Sequence, residues 1–465
     1  MAIVLGACVS SVVLAGEGTN DAVIVQAAQP TEAEAFAAQE LADFMQRSTG
    51  AAPRIVKEAD FSGGPAIYVG QTEFAAQQAI DFARLEAEEW VVRSAQGSLI
   101  LCGGRPRGTL YAVYEFLERC LGIRFLDAYT EHVPSMPRWV LPADLAIQGS
   151  PAFSRREICM VVGGAGSPEY LRFQVRRKIN GFANAFWSAE AKYGYSMRFG
   201  SPYSTHTHSL YTEDFPEAQP EYFAMRDDGS RTGPGPEGQV CMSHPEVRKF
   251  FIAKLRKYIK QDRDKIIQAK SGEPFPTLYS LVPNDNGNKC VCANCIALAD
   301  KYGAYTGVVL EFINAVAEDI AKDYPDIQIA AAAYTFYVDI PQGIRPRDNV
   351  VIYLAQLGSE FNCLPMRDTL RSMTHPINQT PRKVLEDWGS ITKTLGTHDY
   401  WTAWSQPFQW PQTNIHGLAQ TLKLYYQCGM RHFFVEDELF GSRVHNFVDL
   451  QFYVAARLLQ DPSQD

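Results

Sequence analysis

The feature that most constrains this chain is an alternation running through residues 153–465, in which short apolar runs of strand length are separated by amphipathic stretches with helical spacing. The runs are Glu157 to Val162, Gly181 to Trp187, Leu278 to Val282, Ile327 to Tyr337, Val350 to Leu357, His398 to Trp404 and His432 to Val435, with an eighth placed somewhere in Ser201 to Met225. Between them the periodicity predicts helices at Pro168 to Ile179, Pro245 to Gln261, Thr306 to Tyr324, Pro381 to Leu395, Leu418 to Cys428 and Phe447 to Leu459. Several open on proline, whose missing N–H costs nothing in a first helical turn. Repeated βα units imply right-handed crossovers and a parallel sheet. Eight of them in a stretch of roughly 300 residues predict a closed (β/α)8 TIM barrel in preference to an open doubly wound sheet.

A smaller α/β domain is expected ahead of the barrel, over residues 20–134. It reads as a strand at Ala22 to Gln26, a helix at Glu32 to Ser48 and a strand at Ala66 to Val69. A hairpin follows, Glu89 to Arg93 and Ser98 to Cys102 about a Gln-Gly turn, and then a helix from Arg107 to Cys120 ending before Gly122. Pro134, Pro137, Pro142 and Pro151 punctuate the next stretch, which reads as a linker at 135–152. Two domains also suit a chain of 465 residues, which is too long for one ordinary core.

Residues 1–19 are ambiguous. Met1 to Gly16 is apolar and rich in small residues but has no Lys or Arg to begin a signal peptide. Leu5-Gly6-Ala7-Cys8 resembles a lipoprotein cleavage box, which would place a lipid anchor on Cys8 and the protein in the periplasm, on the cell surface or outside the cell; a first strand is the open alternative. No other segment approaches the ~18 apolar residues that a bilayer span requires. With 46% hydrophobic and 20% charged residues the composition is that of a globular protein. A net charge of -9 without any Lys/Arg-rich stretch argues against a nucleic-acid partner and for a neutral ligand. Neither a Gly-rich phosphate loop nor a G-x-S-x-G elbow is present, and no cofactor is expected.

Barrel chemistry sits at the C-terminal ends of the strands, and three of those ends stand out. They are Pro283-Asn284-Asp285-Asn286-Gly287, Asp399-Tyr400-Trp401-Thr402-Ala403-Trp404 and Val435-Glu436-Asp437-Glu438. Hydrolysis of a glycosidic bond needs two carboxyl groups, or one plus a substrate acetamide, because its transition state requires both a proton donor and charge stabilisation. Asp285 and Glu436 are the candidate catalytic pair. Glu436 follows Phe433-Phe434-Val435, where desolvation favours the protonated form a general acid needs, whereas Asp285 lies among donors that favour a carboxylate. The same Asn-Asp-Asn-Gly run also reads as a plain turn. Asn284, Asp399, Tyr400, Glu438 and Arg156 are candidate substrate contacts, and Trp401 and Trp404, with Trp410 close by, are candidate sugar-stacking rings.

Two clusters leave room for a metal. His206 and His208 form an H-x-H pair that on a strand would suit a metal-dependent hydrolase; ordinary contacts to substrate hydroxyls are the preferred reading. Cys290, Cys292 and Cys295 in KCVCANC, with Cys241 as a fourth ligand, suit a structural zinc site or a disulfide.

Taken together, Ala37 to Gly50, Ile67 to Gly70, Gly108 to Phe125, Pro220 to Phe223, Gln239 to Val247, Pro283 to Cys295 and Gly429 to Glu436 resemble the family called domain of unknown function 4838, from which glycoside hydrolase family 163 was carved. The N-terminal blocks resemble the domain that precedes the barrel in α-glucuronidases and family 20 hexosaminidases. The block Pro283 to Cys295 (PNDNGNKCVCANC) is the more specific and places Asn284-Asp285 at the end of the fourth barrel strand. The resemblance implies a retaining endo-β-N-acetylglucosaminidase-like reaction in which the substrate's 2-acetamido group is the nucleophile. A non-catalytic glycan-binding barrel is the alternative from another class. Where the family has an acid followed by Gly, this chain has Glu436-Asp437-Glu438, which leaves the choice between Glu436 and Glu438 open. Relatives often continue beyond the point matching Asp465, so truncation also stays open.

Overall fold

A computed structural model describes residues 11–16, 23–160, 167–181, 190–202, 205–215, 219–356, 368, 370–401, 414–438 and 447–464, with backbone alone at 11–16, 159–160, 356 and 437–438. The chain forms two compact units, the first comprising 1–151, 166–178 and 189–196 and the second the remainder.

The first unit is built on a six-stranded mixed sheet in the order Ala146–Gly149, Trp90–Ala95, Ser98–Gly103, Ile67–Val69, Val23–Gln26, Arg54–Lys57. The expected hairpin is present, with Gln96 (φ 49°) and Gly97 (φ 76°) both in the left-handed region, as a two-residue turn matched to strand twist requires. The helix Glu32–Thr49 starts in a capping box: Glu34 N donates to Thr31 Oγ1 at 3.2 Å, Thr31 N donates to the Glu34 carboxylate at 2.8 Å, and Gly50 ends the helix at φ 79°.

Residues 135–152 are not a free linker. Arg138–Pro142 pairs with Ser11–Gly16, and Ala146–Gly149 pairs with Trp90–Ala95. Pro142 stands at a strand end, where it breaks no interior ladder, and the alternation that buries Trp139 and Leu141 is the period-two signal that the prolines obscured. Cys8 lies outside the described residues. Among the described residues no helix is long and apolar enough to cross a membrane.

Three consecutive cations of this unit are buried against acids. Arg176 pairs with Glu40 (2.8 Å), Arg177 with Glu118 (2.5 Å) and Lys178 with Glu115 (2.7 Å). Such pairs cost desolvation when formed, but removing one partner strands the other charge.

The second unit contains a curled, all-parallel six-stranded sheet in the order Arg155–Met160, Met430–Glu438, Thr394–Tyr400, Val350–Gln356, Gln328–Ala333, Leu278–Ser280. The first strand in sequence therefore pairs with the last. Helices Thr306–Ala321, Gln379–Ile391, Ile415–Gln427 and Val448–Gln460 form within a few residues of their expected bounds, and Pro245–Ala269 is longer than expected. Ala293–Tyr302 is a helix the periodicity did not reveal. The run ending at Tyr337 is shorter as a strand, because Thr335–Tyr337 turns as a 3-10 helix. Most of the predicted strand Gly181 to Trp187 lies outside the described residues. No strand forms among the described residues of 201–225; instead Phe199 makes a single parallel bridge to Leu278.

Replacing Glu118 by Leu should lower the free energy of unfolding by roughly 3–5 kcal/mol in a denaturant titration, because the Arg177 guanidinium, fully buried, would lose its counter-charge. A loss below about 1 kcal/mol would mean that relaxation or water compensates.

Candidate active site

Successive side chains of a strand point to opposite faces, so each parallel strand presents residues two apart to one side of the sheet. On the inner face they line a cavity of about 290 Å³: Arg155 and Glu157, Phe434 and Glu436, His398 and Tyr400, Tyr353 and Ala355, Ala330, Ala332 and Tyr334, Ser280 and Val282. Asp285 and His206 complete the wall. The register sorts these residues into rows. Tyr353, Gly396, His432 and Arg155 stand side by side, and Ala355, His398, Phe434 and Glu157 form the row above. Tyr400 and Glu436 pair above that. The alanine-rich strand Gln328–Ala333 leaves room for the cavity, since Ala330 and Ala332 face it.

The floor is a buried polar network. The Tyr353 hydroxyl lies 2.8 Å from His432 Nδ1 and reaches it across Gly396, where a Cβ would sit 2.8 Å from the tyrosine ring. Burial, helped by the positive charge of Arg155, pushes the His432 imidazole down to about 3, and burial pushes the Tyr353 phenol up, so both are neutral. Arg155 donates from Nη2 to Glu157 Oε2 at 2.6 Å and stacks over the Phe199 ring at 4.6 Å. Its Nε and Nη1 are buried with no hydrogen-bond partner among the described residues.

Above the floor, His398 Nε2 lies 3.0 Å from Glu436 Oε1. The imidazole stacks on Tyr400 (5.1 Å, 23°) and meets the edge of Phe434 (4.5 Å). A hydrogen bond at this contact places one proton between an imidazole nitrogen and a carboxylate oxygen. Opposite, His206 Nδ1 lies 2.8 Å from the Pro283 carbonyl. A carbonyl only accepts, so Nδ1 carries the proton and a neutral His206 offers Nε2 as an acceptor. The segment holding His206 is laced to the neighbouring strand: Ser280 Oγ donates to Thr205 O (2.9 Å), Thr207 Oγ1 to Ser280 O (3.1 Å) and Thr207 N to Val282 O (3.0 Å).

Of the residues singled out from sequence, Asp285, Glu436, His206 and Tyr400 meet at this cavity, and several others do not. His208 is fully buried between Phe251 (5.1 Å) and Phe312 (6.0 Å), and neither ring nitrogen bonds to a described residue. The H-x-H spacing points both rings one way only on a strand. Here His208 begins the short helix His208–Tyr211 while His206 precedes it, so strand alternation does not hold across the pair; His206 lines the cavity and His208 is packed against Phe251 and Phe312. Two ligands for one ion are therefore not provided.

Asp399 and Trp401 have the wrong parity on their strand. Asp399 is buried, accepting from Tyr425 Oη (3.1 Å) and from Tyr400 N, and Trp401 is buried against Phe433. Arg156 is turned the same way relative to Arg155, donating to Phe153 O (2.5 Å). Asn284 is scaffold: its side chain accepts from Ser209 N (2.8 Å) and donates to Gly238 O (2.8 Å) and Gly235 O (3.1 Å), which pins the loop that carries Asp285. Trp404, Trp410 and the Glu438 side chain lie outside the described residues.

Arg155, Glu157, Tyr353 and His398 were not singled out as site residues. Counting by twos from Glu436 and aligning the neighbouring strands would have found them, but that register is not in the sequence. The sulfurs of Cys241, Cys290, Cys292 and Cys295 lie within 4.8 Å of one another, and none is in a disulfide.

Burial also pushes His208 down to about 3. For His208 and His432 the folded pKa lies below the ordinary histidine value of 6.5, so the unfolded chain binds protons that the folded one refuses. Stability is fully present above pH 6.5 and declines as the pH falls toward 3, by about 1.4 kcal/mol per pH unit for each histidine. Replacing His208 with Leu should remove close to one such increment from the slope of unfolding free energy against pH; an unchanged slope would reject the neutral, buried assignment.

Residues 16–116 match the N-terminus of glycosyl hydrolase family 67, and residues 125–465 match the domain of unknown function DUF4838. No curated protein matches the sequence. Among solved structures, a family GH115 4-O-methyl-α-glucuronidase, BtGH115A, with specificity for decorated arabinogalactans is 13% identical with a TM-score of 0.56, over 97% of this chain and 57% of that one. This chain thus spans little more than half the length of that enzyme. CpGH84B is 10% identical with a TM-score of 0.46 over 97% of this chain and 69% of its own. A mutant β-hexosaminidase of Streptomyces plicatus in complex with GlcNAc is 12% identical with a TM-score of 0.41, over 97% and 87%. At 13% identity the likeness to the GH115 enzyme is one of fold. Since the match over residues 125–465 covers well over half of its length, the chain belongs to the DUF4838 family.

Proposed function

We propose that the protein is a glycoside hydrolase acting on N-acetylglucosamine-containing glycans, with Asp285 and Glu436 as its working carboxyl groups. The observation that carries this reading is their convergence on one cavity, at the C-terminal side of parallel strands, Glu436 from the end of a strand and Asp285 from a loop far away in sequence. A cavity of about 290 Å³ is at the small end of ligand pockets, roughly 300–1,000 Å³, and suits one sugar residue. The fold shared with a glycoside hydrolase and the family 67 N-terminal match add support by analogy. The parallel bridge from Phe199 to Leu278 and the pairing of the first strand with the last support closure of the parallel sheet into a barrel.

In this reading Glu436 protonates the leaving oxygen and His398 shares its proton. Asp285 accepts the acetamide N–H and polarises that group as it attacks the anomeric carbon. His206 Nε2 accepts from a sugar hydroxyl. Tyr334, Tyr400 and Phe434 offer ring faces to the sugar's C–H groups.

On an aryl β-N-acetylglucosaminide, Glu436→Gln should abolish turnover without unfolding the protein, since the amide keeps the shape but has no acid proton. With an activated leaving group that needs little protonation, Glu436→Ala should recover substantially and Asp285→Ala should not. The opposite pattern would exchange the two roles. Binding of N-glycans or aryl glycosides without release would replace hydrolysis by glycan binding, and an inverted product would replace the acetamide by a direct water attack.

A further inference from the structure

The cysteine cluster lies outside the pocket, and the reaction proposed above makes no use of it. Cys241 Sγ is 3.6 Å from Cys292 Sγ and 3.9 Å from Cys295 Sγ, and all four sulfurs fall within 4.8 Å of one another. Four thiolates arranged tetrahedrally about a zinc ion at ~2.3 Å stand about 3.8 Å apart. Cys241, Cys290 and Cys295 are buried, and none of the four is in a disulfide.

Local structure holds the sulfurs in place. Cys292 caps the ten-residue helix Ala293–Tyr302, which puts Cys295 in its first turn, where the helix dipole favours negative sulfur. The Met225 amide donates to Cys290 Sγ at 3.3 Å, and Ser243 Oγ lies 3.1 Å from Cys295 Sγ. The Tyr305 hydroxyl clamps Cys290, accepting from its N (2.9 Å) and donating to its O (3.1 Å).

The cluster also brackets the Asp285 loop. Cys290 follows Asp285 by five residues. Cys241 follows by two the residue Gln239, whose side-chain amide donates to Asn284 O (2.7 Å) and accepts from Asn284 N (3.3 Å). A bond from Cys241 to the three later thiols would therefore fasten that loop from both sides.

We propose that Cys241, Cys290, Cys292 and Cys295 hold one zinc ion, which positions Asp285 by tying its loop to the segment that carries Gln239. An all-thiolate set of four is soft and tetrahedral, which favours zinc over calcium, magnesium or manganese. The positioning half of the proposal rests on the glycosidase reading; the zinc half does not.

The test uses the full chain purified under reducing conditions without added metal. Elemental analysis should find about one zinc per chain, kept by the His206→Ala, His208→Ala double variant and lost by Cys292→Ser and by Cys290→Ser. A mercurial reagent should release it into a colorimetric chelator, and removal should lower the thermal midpoint. Iron in place of zinc, absence of metal, or two disulfides on thiol titration would each overturn the site. For positioning, Cys292→Ser should lower kcat on an aryl N-acetylglucosaminide by roughly tenfold or more with little change in KM, and Cys292→His, which restores a fourth ligand, should recover both zinc and kcat. A zinc-free variant with undiminished kcat would overturn the positioning role. Absence of turnover in the unaltered protein would count against the glycosidase reading alone, with the metal content still deciding the site.

Discussion

The pocket depends on one constraint, the lateral register of a parallel sheet. Because faces alternate with period two, a shift of one residue in any strand would exchange every inward side chain for its outward neighbour. With the observed register Glu436 stands beside Tyr400, His398 beside Phe434, and Arg155 beside His432. Shifted by one, the last strand would present Val435 and Asp437 instead. The hydrogen-bond ladder is thus as much a part of the site as the carboxyl groups.

The interior polar groups follow from that placement. A charge at the floor of a cavity is tolerable only with a partner, and Arg155 has Glu157 on its own strand, two residues along and on the same face. His432, in the row of Arg155, stays neutral and bonds to Tyr353. Gly396 makes that bond available, since any side chain there would meet the tyrosine ring. A glycine inside a strand weakens it; here the absence of a Cβ lets two neighbouring strands join over the top of a third.

Loops carry the rest of the site, and they are braced by side chains. Asn284 spends its amide on the backbone of residues 209, 235 and 238, and Ser280, Thr205 and Thr207 lace the His206 segment to a strand edge. Asn and Asp are common in turns because they bond to nearby backbone, and Asn284 does this over long sequence separations. The loop therefore holds Asp285 at the wall of the cavity.

The sequence by itself determined the elements and the chemistry on offer. The α/β N-terminal unit with its Gln96-Gly97 turn, the parallel strands with most of their helices, and the strand ends bearing Asp285 and Glu436 all follow from short-range periodicity and turn preference, which act over a few residues. Tertiary structure decided which face each residue takes and which distant residues meet. His398 rather than Asp399 and Arg155 rather than Arg156 face the cavity, although adjacent positions are equally polar in the sequence. His208 left the H-x-H pair because its segment turned into a helix, and 135–152 became strands because partners lay at Ser11–Gly16 and Trp90–Ala95. Parity and pairing are set by hydrogen bonds between strands remote along the chain, so a local reading of residues cannot contain them.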